Sequence, residues 1–251
     1  MSTTPQPKSS EIDIGTLFLA NFVHQVVNPL NGIIGTLDNI TDGTYKGEAV
    51  LQKINAARAQ LEQCVTLIRN LAYLSDFFFE APDKGALRKP REGGSSVLPQ
   101  VVIEAAQFFQ VLADKKAIRI ELPEAHSQQY RIRIRPELFR QLFINIFDNW
   151  LKYGEDNQRI LVHAKTNSRK ELVVEISGRS IGFNNSDSEK LFELGYRSSE
   201  AKNKVAQGSG IGLFICKQIA VRALNGTISA EHRSSGETIF RIGIPRTQWE
   251  L

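Results

Sequence analysis

Residues 22–35 read FVHQVVNPLNGIIG, and this stretch decides the first part of the fold. Through and beyond it Val23, Val27, Leu30, Ile34 and Leu37 recur at alternating spacings of four and three. That is a helical stripe of coiled-coil type and predicts a long helix over 12–40. His24 falls on the flank of the stripe, where an imidazole is exposed enough to reach another domain. Pro29 lies mid-helix, where proline removes a hydrogen bond and costs about 3 kcal/mol, so a kink beside the histidine is expected. Turn chemistry at Thr41, Asp42, Gly43 and Gly47 then ends the pattern. A second stripe steps through Val50, Ile54, Ala57, Leu61, Cys64, Ile68, Leu71, Ser75 and Phe78 without a slip. Two such helices joined by a short loop form an antiparallel hairpin. Val26, Ile33, Val65, Leu67 and Leu74 lie off that seam and would stay wet in one hairpin, so dimerisation into a four-helix bundle is expected.

Outward from the hairpin, APDKGALRKPREGGSS (81–96) is rich in Pro, Gly and charge, which marks a linker between a domain over 12–80 and another over 97–251. The second domain mixes periods: helices over 97–115, 136–153 and 211–224, and strands over 118–122, 130–134, 159–165, 171–177, 227–231 and 238–244. Pro136 opens its helix, where a missing N–H costs nothing. The stretch 178–207 is too long and polar for a simple connection and is either functional or mobile. The reading is an α/β sandwich.

Composition narrows the classes further. A length of 251 residues suits two small domains, and 41% hydrophobic with 23% charged residues is ordinary for a globular chain. The net charge of +4 is too small to imply nucleic acid. Cys64 and Cys216 lie in unrelated segments, so neither a disulfide framework nor a zinc site is indicated. The first ten residues carry no apolar signal region, and no apolar run reaches the roughly 18 residues of a membrane span. A cytoplasmic location is expected.

Two further segments carry chemistry. In NIFDNWLKYG (145–154) Asn145 and Asn149 lie four apart on one helix face, with Asp148 and Lys152 beside them. Carboxamide oxygens suit Mg²⁺, and a lysine one turn later supplies a phosphate counter-charge, although a plain amphipathic surface helix shows the same pattern. In GSGIGLFICKQIA (208–220) Gly208, Gly210 and Gly212 precede a helix start, where backbone N–H groups can approach phosphate. Glycine spacing alone is a weak signal.

In their order these segments resemble the histidine kinases of two-component systems. His24, Asn28, Pro29 and Leu30 match the phosphoacceptor box written HExxTPL or HExxNPL. Residues 145–154 resemble the asparagine box NxxxNAxKY, with Trp150 in place of the usual small residue. Residues 208–220 match the second glycine box, and LFELGYRSS (191–199) looks like the ATP lid. The fold implied is α + α/β: an antiparallel helical hairpin dimerising into a four-helix bundle, then an α/β sandwich of the histidine kinase/gyrase-type ATP-binding fold. The resemblance implies that His24 accepts phosphate and that Asn28 positions a water for dephosphorylating a regulator. It makes Asn149 the chief Mg²⁺ ligand, with Asn145, Lys152 and Tyr153 around ATP, Phe192 as lid anchor and Arg197 as a phosphate contact.

Two departures stand out. Gln25 replaces the acidic residue after the histidine; an amide can orient a ring nitrogen but cannot take its proton. Where the family has DNGxGI, this chain has GRSIGF (178–183), and only Gly182 keeps its register. Losing a carboxylate under the adenine amine should cost about 1.5 to 3 kcal/mol, roughly ten- to a hundredfold in affinity, unless Ser177 or a water replaces it. Three functions therefore stay open. One is a sensor-less kinase that autophosphorylates His24 from Mg-ATP and serves the receiver domain of a response regulator, with input from a separate sensory protein. The others are a degenerate kinase acting as a phosphotransfer hub, and a regulator phosphatase or scaffold.

Overall fold

The computed structural model describes residues 14–78, 94–123, 129–205 and 208–251. The chain forms two compact units that divide between Ala72 and Tyr73. Of the segment read as a linker, 81–96, residues 81–93 lie outside the described residues, as do 79–80, 12–13 of the first helix and His126. Among the described residues no helix is long and apolar enough to cross a membrane.

The first unit is a hairpin of α1 (Ile14–Thr41) and α2 (Glu48–Phe78). Helix α1 runs unbroken through Pro29. It stops where Thr41 Oγ1 donates to Leu37 O and Gly43, at φ +71°, turns the chain. The hairpin corrects one expectation in part: the seam residues Ala57 and Cys64 are buried and off-seam Val65 is exposed as read, but other positions change places. Ala57, Cys64 and Leu67 are buried between the helices, Val26 and Ile33 are half-buried, and Cys64 Sγ donates to Val26 O at 3.8 Å. Most of the four-and-three stripe instead points away: Val23, Val27, Ile34, Leu37, Ile54, Leu61 and Ile68 are all exposed in the single chain. Residues one position apart differ by about 100° around a helix, so a broad apolar arc contains two faces, and spacing does not say which face meets which partner.

The second unit begins with β1 (Ser96–Val97), α3 (Leu98–Phe108), α4 (Gln110–Lys115), β2 (Arg119–Glu121) and β3 (Arg131–Ile132). It continues with α5 (Pro136–Tyr153), β4 (Arg159–Thr166), β5 (Leu172–Arg179), α6 (Ser199–Lys204), α7 (Gly212–Gln218), β6 (Thr227–His232), β7 (Glu237–Ile244) and β8 (Trp249–Glu250). A five-stranded sheet runs β2-β4-β5-β7-β6, parallel only at β2-β4. A small antiparallel sheet, β1-β3-β8, closes the other side.

Three readings are corrected here. The helix over 97–115 breaks at Phe109, whose backbone leaves the helical region (φ −105°, ψ 4°). That break lets both Phe109 and Ala113 reach the core. The strand over 130–134 shrinks to two residues, because β1 and β8 offer it only two partners each. The helix over 211–224 passes at Ile219 into a π-helical turn, Ile219–Ala223.

Helix α5 is the centre of the core. Phe139, Phe143 and Phe147, four residues apart, are fully buried, with ring centroids 5.1 and 6.0 Å apart. Helices α3 and α7 pack against α5, and Trp150 near its end lies against Gly178 of β5 and Phe240 of β7. Phe143→Ala should therefore destabilise this unit by about 3 to 5 kcal/mol, read from urea unfolding, through lost transfer energy and a residual cavity.

Candidate functional site

One cleft in the second unit gathers most of the chemistry-bearing residues. The last turn of α5 contributes Asp148, Asn149, Lys152 and Tyr153. The chain leaving β5 adds Ser180, Gly182 and Phe183, the segment before α6 adds Tyr196 and Arg197, and the turn into α7 adds Gly208, Gly210 and Gly212. Thr238 and Phe240 of β7 form the floor. Asn145, one turn before Asn149, does not line the cleft: it is buried, and its Oδ1 accepts from Gln141 Nε2 at 3.2 Å. Ser177 is buried on β5 outside the lining.

The polar groups are held in set orientations. Asn149 Nδ2 donates to Asn145 O at 2.8 Å, which leaves its Oδ1 as the atom able to serve a cation. Lys152 donates to Asp148 at 2.6 Å. Arg197 donates to the carbonyls of Ala201 (3.1 Å) and Val205, so its guanidinium braces the loop around α6. Lys204 Nζ closes that loop onto α5 through Gly154 O at 3.0 Å. Phe192 is buried, with its ring edge-on to Phe240 at 6.4 Å.

Two glycines are required by close approach. Gly210, at φ +64°, leaves its missing Cβ only 2.6 Å from Gly195 C, and its carbonyl accepts from Gly195 N–H at 3.1 Å. Gly182, at φ +73°, lies against the His232 ring, where a Cβ would come within 2.2 Å. Burial, with Asp187 close by, pushes the Tyr196 phenol above its ordinary range. Burial also raises the Cys216 thiol, which excludes a thiolate under the glycine turn.

The sequence reading missed Ser180, Tyr196, Thr238 and His232. Thr238 alone left a usable signal, a polar residue at a buried position of a strand that is otherwise apolar inward. In the first unit His24, Gln25 and Asn28 lie on α1, and Asn28 is exposed.

Residues 134–248 match the family of histidine kinase-, DNA gyrase B- and HSP90-like ATPases, and residues 16–77 match the His kinase A phosphoacceptor domain. The chain belongs to the histidine kinase family. Among curated histidine kinases, the sensor protein kinase WalK of Staphylococcus saprophyticus is 24% identical over 230 residues, covering 89% of this chain and 35% of the relative. A WalK of Staphylococcus aureus is likewise 24% identical, with 52% of it covered. The chain thus spans about a third to a half of the length of these curated relatives. Among solved histidine kinases, Acinetobacter baumannii AdeS superposes with a TM-score of 0.63 at 20% identity, over 90% of this chain and 98% of that one. The kinase ThkA, solved in complex with response regulator protein TrrA, gives 0.64 at 18% identity, over 94% of this chain and 63% of that one.

Proposed function

We propose that this chain is a cytoplasmic histidine kinase core, homodimeric through its hairpin, that moves the γ-phosphoryl group of ATP to His24 and then to an aspartate on a response regulator. The observation that carries the nucleotide half is that Asn149, Lys152, Tyr153, Gly182, Arg197 and the three glycines, drawn from four separate segments, line one cleft. A response regulator as partner is supported by the fold neighbour ThkA, solved with its regulator. The exposed stripe of Val27, Ile34, Leu61 and Ile68 supports the dimer.

A neutral ring nitrogen of His24 attacks the γ-phosphorus, the bond to the bridging oxygen breaks, ADP leaves, and the ring proton passes to solvent. Gln25 brings an amide, which can hydrogen-bond a ring nitrogen but cannot take its proton. Lys152, paired with Asp148, and Tyr196, Arg197 and Ala201 from the segment around α6 line the cleft that would hold the nucleotide. Among the described residues no cluster of three or more His, Cys, Asp or Glu could hold a metal by itself. The donor set instead fits Mg²⁺ carried largely by the nucleotide phosphates, with Asn149 Oδ1 as the protein's oxygen. Bound there, the ion would supply neutralising charge for the transferring phosphoryl group.

Calorimetry tests the nucleotide half. The wild type should bind ATP more tightly with Mg²⁺ than with EDTA, and Asn149→Ala should remove that difference. Absence of ATP binding by the wild type would leave a phosphotransfer hub as the better account.

A further inference from the structure

The two departures at Trp150 and Gly178 meet in space. A Cβ added at Gly178 would lie 2.7 Å from Trp150 Nε1 and 3.3 Å from its Cδ1. The indole therefore fills the room that any side chain at 178 would need. Trp150 is only 2% exposed, lines the cleft and packs edge-on to Phe240 at 5.1 Å. Its buried Nε1 has no hydrogen-bond partner among the described residues. The neighbouring Gln158 amide is already engaged, accepting from Arg179 N–H at 2.6 Å and donating to Glu155 O and Arg179 O. Asp148 is the one carboxylate that lines the cleft among the described residues, and it pairs with Lys152.

The cleft also holds a hydroxyl relay. Ser180 Oγ and Thr238 Oγ1 lie 2.7 Å apart, Thr238 Oγ1 lies 2.8 Å from His232 Nδ1, and Ser180 Oγ accepts from Gly182 N–H at 3.1 Å. Such a chain can run in two directions, because a hydroxyl both donates and accepts and a neutral imidazole carries its proton on either nitrogen. If His232 Nδ1–H donates to Thr238 and Thr238 to Ser180, the Ser180 hydroxyl proton is left for an acceptor in the cleft. If Ser180 donates to Thr238 and Thr238 to His232, Ser180 keeps a lone pair for a donor. A carboxylate offers only the second.

We infer that the Trp150–Gly178 exchange makes the base end of the cleft indifferent between 6-amino and 6-oxo purines, so that the chain binds ATP and GTP alike. The inference rests on the nucleotide reading above. Its test is calorimetry on the full chain with ATP and with GTP, each in Mg²⁺. The wild type should bind the two with dissociation constants within about threefold. Ser180→Ala should weaken both by a similar factor, because both directions of the relay end on that hydroxyl. The paired variant Trp150→Ala with Gly178→Asp removes the indole, leaves Gln158 Oε1, at 3.0 Å from the new Cβ, as the neighbour that must shift, and should favour ATP by roughly ten- to a hundredfold, the worth of a hydrogen bond to a charged group. Wild-type binding of ATP with GTP at least tenfold weaker overturns the inference and leaves the nucleotide reading standing. Binding of neither overturns both. If the paired variant does not fold, the wild-type comparison alone decides.

Discussion

Charging the outward stripe of the hairpin, Leu61→Glu together with Ile68→Glu, is expected to turn the dimer into monomers at micromolar concentration. The two side chains are 48% and 51% exposed in the single chain, on the α2 face that the bundle would cover. With about half of each side chain left to cover, each substitution removes about 0.75 to 1.5 kcal/mol of apolar burial at the interface and adds a carboxylate that must be desolvated. A symmetric dimer carries every change twice. The apolar part alone sums to about 3 kcal/mol or more, at least a hundredfold rise in the dissociation constant, and the desolvated carboxylates add to it. Sedimentation of the wild type as a monomer would contradict the bundle; a variant that stays dimeric would place the interface on another face. The second unit keeps its own core and should still bind nucleotide.

The second large effect is chemical. His24→Ala should eliminate phosphorylation, whereas replacing His163 or His232 should not remove the acceptor. His163 lies within β4, paired opposite Glu175, and His232 ends β6 with Nδ1 on Thr238. Protonation takes away the attacking lone pair, so labelling should fall as pH drops through the ordinary imidazole range, about 6.5. Gln25→Glu restores a proton acceptor next to the nucleophile. General-base assistance is worth roughly a hundredfold or more in favourable geometry, so the variant should label measurably faster if ATP is the donor. A chain fed by another phosphoprotein should respond little.

Much of this was legible in the sequence, for reasons that particular residues make plain. The glycine and asparagine segments each sit within a single turn or helix, so their spacing reports their geometry directly, and Asn149, Lys152, Gly208 and Gly210 do converge. The hairpin was legible as two stripes, but its inner face was not, because Val26 and Val27 are equally apolar and only the partner helix distinguishes them. Contacts between distant segments were also hidden. Trp150 and Gly178 read separately as two unrelated departures, and only the packing of α5 on β5 shows one to be the other's counterpart. The two-residue strands β1 and β8 are too short to carry a period, so β3, inside the strand expected over 130–134, is the one part of the small sheet that left a signal.

The central claim is that ATP phosphorylates this chain on His24. Incubation of the purified wild type with γ-labelled ATP and Mg²⁺, followed by acid and base treatment, tests it most directly. Label that is lost in acid, survives base and is absent from His24→Ala is the expected result. Acid-stable label, or label retained in His24→Ala, would contradict the account.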